Sequence, residues 1–383
     1  MMDFILFDDA KSNRFRPFTL TRPVSELLCG ITSIREKWEY ALKARAGYST
    51  APWLSAYFTG SQNAEKIMLR INGRYLPSDD LVRAIATLRE GFLLVNGSEI
   101  VASRTNQLFE GEQIQTNGIS TEAIEWPWDL FARNDAFIRS DFLRLTAGRK
   151  SEALPAGNRI SGADYFLEEG ARVEMSIINT RTGPVYFGNH SEVMEGCMIR
   201  GPFAMGDHAL LKMGAKVYGA TSLGPECRVG GEVSNSVMLG YSNKGHDGFL
   251  GNSVIGCWCN LGADTNNSNL KNNYGPVRVY SMQDKAMIET GLTFCGLFMG
   301  DHSKAGINTM FNTGTVTGVC ANIFDGGFPP KFVPSFSWGG REDAPRFTID
   351  KALETAQAMY QRRGRTFSDA EAEILRYLSI HGM

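Results

Sequence analysis

From Phe187 onward an apolar residue recurs at every sixth position: Phe187, Val193, Ile199, Met205, Leu211, Val217, Leu223 and Val229. Glycine follows directly at Gly188, Gly206, Gly224 and Gly230. Six is not a helical period, and plain strand alternation does not demand glycine at this phase. The spacing predicts short strands separated by tight corners, coiled three to a turn into a parallel β-helix. One side chain per hexad then points inward and stacks on its equivalent in the next coil. Each coil leaves its apolar ridge bare until another covers it, so repetition is a condition of folding. The phase slips through residues 231–248 and resumes at Phe249, Ile255 and Leu261. It slips again through "NLKNNYGPVRVYS" and returns at Met287, Thr293, Met299, Ala305, Phe311, Thr317 and Ile323. Such slips predict bulged corners or loops thrown off the coil, which in repeat proteins often lie on the binding face.

The first third reads as α/β material. "FILF" predicts a buried strand, and "PWLSAYF", "KIMLRI" and "GFLLVNG" three more. "SIREKWEYALKAR" and "SDDLVRAIATL" predict helices, the second capped by Ser78. "IEWPWDLFARNDAFIRSDFLRL" reads as a strand or loop leading into a helix. After the repeats come an aromatic arm, "FPPKFVPSFSWGG", and two helices, with Ser368 and Glu371 spaced as a capping box. The expected domains are 1–155 (α/β), 156–335 (β-helix) and 336–383 (arm and helices).

Composition narrows the function classes. Apolar residues make up 43% and charged residues 21% of the 383, which predicts a folded chain rather than a disordered one. The formal net charge of −2 argues against a dedicated nucleic-acid binder. No apolar run is long enough for a membrane span. The opening "MMDFILFDDAKSNRF" has acids where a signal peptide has none, so a cytoplasmic protein is expected. Cys257 and Cys259 form a pair with no second pair at a zinc-like spacing, so reduced, buried thiols are expected.

The region from Gly183 to Gly327 resembles the left-handed β-helix acyltransferases with hexapeptide repeats. More narrowly, the chain resembles the shorter form of the bifunctional N-acetylglucosamine-1-phosphate uridyltransferase and glucosamine-1-phosphate N-acetyltransferase family. "FTLTRPVSELLCGITSIREKW", "INGRYLP", "PWDLFARND" and "FMGDHSKAGINTMFNTGTVTG" carry that likeness. It implies a sugar nucleotidyltransferase-like domain followed by a left-handed β-helix. It also implies acetyl-CoA as cosubstrate, sugar phosphates and nucleotides as ligands, and a homotrimer with sites between adjacent β-helices.

An amine must be deprotonated to attack a thioester, and an imidazole titrating near neutrality suits that task. His246, in "NKGHDGFLG", sits in a pattern break and matches the family's catalytic histidine; His302 is the alternative base. The resemblance places Lys212 where the family uses an arginine on the sugar phosphate, a point charge in place of a fork. Lys244 is a second phosphate candidate. Phe249 stands where the family has a tyrosine, and Leu270 replaces another. Asn260 and Asn269 match amides that would hold sugar hydroxyls or an acetamido group. Asp301, His302, Lys304 and Lys331 are expected along the CoA path.

In the first domain, "FDDAKSNRFRPFTLTRP" has no glycine where ordinary sugar nucleotidyltransferases wrap phosphates with backbone N–H groups. Arg14, Arg16 and Arg22 are candidates for a side-chain clamp, and Lys37 for the transferring phosphoryl group. Asp8, Asp9 and Glu99 are the candidate ligands for Mg²⁺, should this domain be active. Two other readings stand beside this one. One is an acyltransferase on another sugar or nucleotide-sugar acceptor with an inactive first domain. The other is a non-enzymatic β-helix binding protein.

Overall fold

The computed structural model describes residues 4–60, 67–106, 110–341 and 343–382. From Arg159–Ser161 to Trp338–Gly339, short strands stack in parallel register into the three sheets of a left-handed β-helix. Face I starts at Arg159–Ser161 and runs to Phe249–Gly251. Face II runs from Tyr165–Leu167 to Phe332–Val333, and face III from Arg172–Val173 to Trp338–Gly339. The eight hexad residues from Phe187 to Val229 all point inward and are at most 2% exposed. Each such burial contributes about 1.5–3 kcal/mol, and no single coil collects it without its neighbours.

The slips change which residues face inward. One coil closes a position short of three full hexads, so Leu250 fills the core and Phe249, expected inward, turns half-exposed to the outside. Ile255 and Leu261 are buried as expected. At the second slip, Met287 lies on an antiparallel hairpin, Arg278–Ser281 with Ala286–Glu289, and Thr293 leads back from it. Neither belongs to the coil. Met299, Ala305, Phe311, Thr317 and Ile323 do, and all are buried.

The corner between faces II and III has glycine in its first coil, Gly170 (φ 70°), and other residues in the coils that follow. His190, His208, Glu226, Tyr241, Trp258, His302, Cys320 and Phe336 occupy it in successive coils, all with φ between 52° and 61°. Left-handed backbone costs a non-glycine residue about 1–2 kcal/mol. Ring stacking along the column offsets part of that cost: His190 on His208, and Tyr241, Trp258 and His302 in series.

The N-terminal domain carries a six-stranded sheet in the order Ala46–Ser49, Phe4–Phe7, Met68–Asn72, Glu99–Thr105, Phe92–Asn96, Glu112–Gln115. Its helices Ile34–Leu42 and Asp79–Ala86 begin at Ser33, which makes a capping box with Glu36, and at Ser78, which accepts from Leu81 N. "PWLSAYF" is not a strand. Pro52–Leu54 is a short 3-10 turn, because Pro52 cannot donate to a ladder and Trp53 Nε1 turns instead to Leu20 O. The "KIMLRI" strand is present as Met68–Asn72; its expected first residue, Lys66, lies outside the described residues.

The helix Asn134–Thr146 lays Ile138 on Phe166, Tyr186, Ala204 and Ala220, so the N-terminal domain covers face II. Asn134 Nδ2 donates to Ala220 O and Ser222 Oγ, both at 3.0 Å. At the other end, helices Ile349–Arg362 and Asp369–His381 pack with Leu20, Leu54, Val319 and Phe336, and Ser368 and Glu371 form the expected capping box. No helix among the described residues is long and apolar enough to cross a membrane. All seven cysteines are free thiols and buried.

Candidate functional site

On face III, strand pairing lines up one outward column: Arg228, Asn243, Asn260 and Lys304, each on the next rung. Each of them precedes an inward residue (Val229, Lys244, Leu261, Ala305), which fixes its direction. The C-terminal helix Ile349–Arg362 forms the facing wall with Thr355, Met359 and Arg362, and Arg363 follows it. Between them lies a groove of about 600 Å³, closed at one end by Tyr241 and Trp258 and at the other by Lys212, Gly245 and His246.

The charges in this groove are unbalanced. Lys212, Arg228, Lys304, Arg362 and Arg363 line it together with His246, and among the described residues no carboxylate does. Arg363 is committed: it bonds Glu226 and Asn243 Oδ1, both at 2.9 Å. Lys304 Nζ donates to His302 O at 2.6 Å, and burial pushes its pKa down. The side chains of Lys212, Arg228 and Arg362 make no hydrogen bond or ion pair among the described residues. His246 is exposed in a short loop, its ring without a hydrogen-bond partner among those residues. Asn243 Nδ2 reaches Asn260 Oδ1 at 3.4 Å, which leaves Asn260 Nδ2 free to donate.

Four of the expected residues therefore meet: His246, Lys212, Asn260 and Lys304. Phe249 and Asn269 lie elsewhere. They meet each other over Gly251 on face I, where Asn269 Nδ2 donates to Asn252 Oδ1 at 2.8 Å. Lys244 turns the opposite way from the phosphate role expected of it. It sits in the inward column between Val229 and Leu261, 2% exposed, with Nζ donating to His246 O at 2.6 Å. Burial pushes its pKa down to about 8. The alternation of side chains along a strand made this inevitable once Asn243 faced out.

The remaining CoA candidates do not converge. Asp301 is buried and spent on Arg22, Thr21 and Cys257 N, a contact that ties the N-terminal domain to the β-helix. His302 is a corner residue stacked in line with Trp258 and Tyr360. Burial, with Lys304 and Arg22 nearby, pushes its pKa down to about 3, so it presents no charge to a phosphate. Its Nδ1 is buried without a partner. Lys331 Nζ bonds Thr313, away from the groove.

In the N-terminal domain the expected phosphate clamp is mostly taken up internally. Arg22 is the partner of Asp301, and Lys37 is buried against Asp141. Asp141 also accepts from Ile31 N and Thr32 N, so this pair organises a turn rather than facing a ligand. Arg14 lies over the Trp126 ring and pairs with Glu125; Arg16 bonds Asn13 Oδ1 at 2.9 Å. The carboxylates expected to hold Mg²⁺ do not form an open set. Asp8 accepts from Val24 N and Thr50 Oγ1, and burial raises its pKa to about 6. Asp9 and Glu99 both close on the Arg74 guanidinium. These residues do not fit a hexacoordinate cation that wants free oxygen ligands.

Arg228, Asn243 and the Arg362–Arg363 pair were not singled out by the sequence. The first two had a signal: they share the rung position of Asn260. The arginines reach the groove only through tertiary packing.

Comparison with known proteins gives the following. No curated protein matches. Among solved structures, the crystal structure of the polySia specific acetyltransferase NeuO is similar at 15% identity over 53% of this chain and 94% of that one, with a TM-score of 0.24. That overlap is too slight to carry residues or chemistry across. Residues 4–150 match the model of a family described as sugar nucleotidyl transferase. The chain thus joins an N-terminal sugar-nucleotidyltransferase-like domain to a parallel β-helix of the hexapeptide-repeat type.

Proposed function

We propose that this chain is an acyltransferase of nucleotide-sugar synthesis, moving the acetyl group of acetyl-CoA to the amine of glucosamine-1-phosphate in the face III groove. The observation that carries the reading is the set of cations, Lys212, Arg228 and Arg362, without a side-chain partner or a lining acid among the described residues, around an exposed imidazole. Such a site favours a phosphorylated ligand and sets an imidazole beside it. In this reading His246 takes a proton from the amine as its nitrogen attacks the thioester carbonyl. The C–S bond breaks, and the thiolate leaves and is protonated to free CoA. Asn260 Nδ2 donates to the acyl or sugar oxygen, and Lys304 meets the phosphates of the donor. UTP-dependent transfer stays outside the reading, since Asp9 and Glu99 are closed on Arg74. A homotrimer belongs to it. Face I exposes Ile177, Met198 and Tyr218, a surface suited to a second copy, and sedimentation velocity on the full chain reads the copy number.

The test is CoA release from acetyl-CoA with glucosamine-1-phosphate, beside a separate incubation with UTP, Mg²⁺ and N-acetylglucosamine-1-phosphate. CoA release without UDP-sugar formation is expected. Full CoA release by His246→Ala protein would remove the assigned base. Release only with a different amino-sugar would keep the groove and change its substrate.

A further inference from the structure

Arg74 follows the strand Met68–Asn72 and is entirely buried, yet it carries a full charge. All five of its N–H groups are used. Nε donates to Asp9 Oδ1 and Oδ2 at 2.9 and 3.1 Å, and Nη2 to Asp9 Oδ2 and Glu99 Oε2, both at 2.7 Å. Nη1 donates to Glu125 Oε1 at 2.8 Å and Ile124 O at 3.0 Å. One guanidinium thus gathers three carboxylates from three separate segments, at the carboxyl ends of central strands where open α/β sheets bind ligands.

The shell around the cluster completes its charge balance. Lys11 pairs with Glu99 and Glu125, and Arg14 with Glu125, so three acids meet three bases. Burial opposes ionisation of Asp9 and Glu99, but hydrogen bonds and charge from Arg74, joined at Glu99 by Lys11, hold both below the usual carboxylate range. A divalent cation entering this cluster would meet a fixed positive charge already bonded to the same oxygens, and octahedral coordination would require displacing it.

We infer that Arg74 stands in the place of a divalent metal: it is a built-in counter-ion for Asp9, Glu99 and Glu125, and the N-terminal domain binds no divalent cation there. The inference is independent of the groove chemistry. It separates this domain from metal-dependent nucleotidyl transfer while keeping its sheet and its strand-end cleft.

The experiment uses the full chain and Mn²⁺ alone, without nucleotide, with free Mn²⁺ followed by electron paramagnetic resonance. Wild-type protein is expected to take up no stoichiometric Mn²⁺. Arg74→Met, which exposes the three acids to one another, is expected to gain a Mn²⁺ site at least about ten-fold tighter than any in wild type, and a thermal midpoint that rises with Mn²⁺. Arg74→Lys, which keeps the charge but not the fork, is expected to gain no site. Stoichiometric Mn²⁺ uptake by wild type that disappears in Glu99→Gln would overturn the inference, as would an Arg74→Met protein that folds and gains no site. If Arg74→Met does not fold, the wild-type and Glu99→Gln titrations decide between the two outcomes by themselves.

Discussion

Two regions of this chain concentrate charge, and they handle it in opposite ways. At the strand ends of the N-terminal domain, Arg74, Lys11 and Arg14 are matched one for one by Asp9, Glu99 and Glu125. In the β-helix groove, Lys212, Arg228 and Arg362 share one lining, with no acid in it among the described residues. The first arrangement satisfies itself and so holds structure. The second leaves its cations without acid partners among the described residues, a lining that favours an anion. Residue type alone does not separate a binding arginine from a structural one; the partner does.

The largest expected effect lies on the open side of that contrast. His246→Ala should lower kcat for acyl transfer by about 10²–10⁴-fold, the usual contribution of a general base, with thermal stability unchanged because the ring has no hydrogen-bond partner among the described residues. A steady-state assay beside a melting curve checks both. The next lies on the closed side. Lys37→Met leaves Asp141 buried with one charge fewer, and should cost about 3–5 kcal/mol of stability in urea unfolding while the remaining folded protein transfers acyl groups normally. Lost activity with intact stability would place Lys37 at a reaction centre after all.

The contrast also marks what a sequence can tell. The hexad phase from Phe187 to Val229 announced the coil because one-dimensional stacking writes a one-dimensional period. The pattern break announced that His246 would lie outside the core, since a residue in a slip is freed from it. What stayed hidden was long-range. Lys37 and Asp141, and Arg22 and Asp301, are partners from distant segments, so each cation read in isolation looked available for phosphate; Arg74 with its three acids gave no sign at all. Arg362 and Arg363 close a helix whose local pattern gives no sign of the groove opposite. Lys244 was misplaced for a subtler reason: the slip shifted the phase, so a lysine took a slot that apolar residues fill in neighbouring coils.

A smaller effect sharpens the groove side. Arg228→Met removes a cation that has no partner among the described residues, so stability should hold while affinity for the phosphorylated acceptor falls about ten-fold, or about 1.4 kcal/mol. The loss should shrink as salt is raised, because part of it is screened attraction. Isothermal titration with glucosamine-1-phosphate at two ionic strengths reads both. An unchanged affinity would move the phosphate away from the Arg228 rung.

Lys244 tests the contrast at its boundary, because it is a cation of the groove loop turned into the core. Burial lowers its folded pKa to about 8 from 10.5. Between those values the unfolded chain holds the proton more often than the folded one, so wild-type stability should rise as pH climbs from about 8 to 10.5. Below pH 8 the penalty is present in full. Lys244→Met fills the same column with an apolar chain of similar length, and should be more stable near neutrality by about 1–3 kcal/mol, without that rise. The same substitution removes the Nζ bond to His246 O, which ties the loop to the inward column, so kcat should fall several-fold as stability improves. Thermal midpoints across pH, set beside kcat, separate these effects. A Lys244→Met protein less stable than wild type at pH 7 would mean that the bond to the His246 carbonyl outweighs the cost of burying the charge.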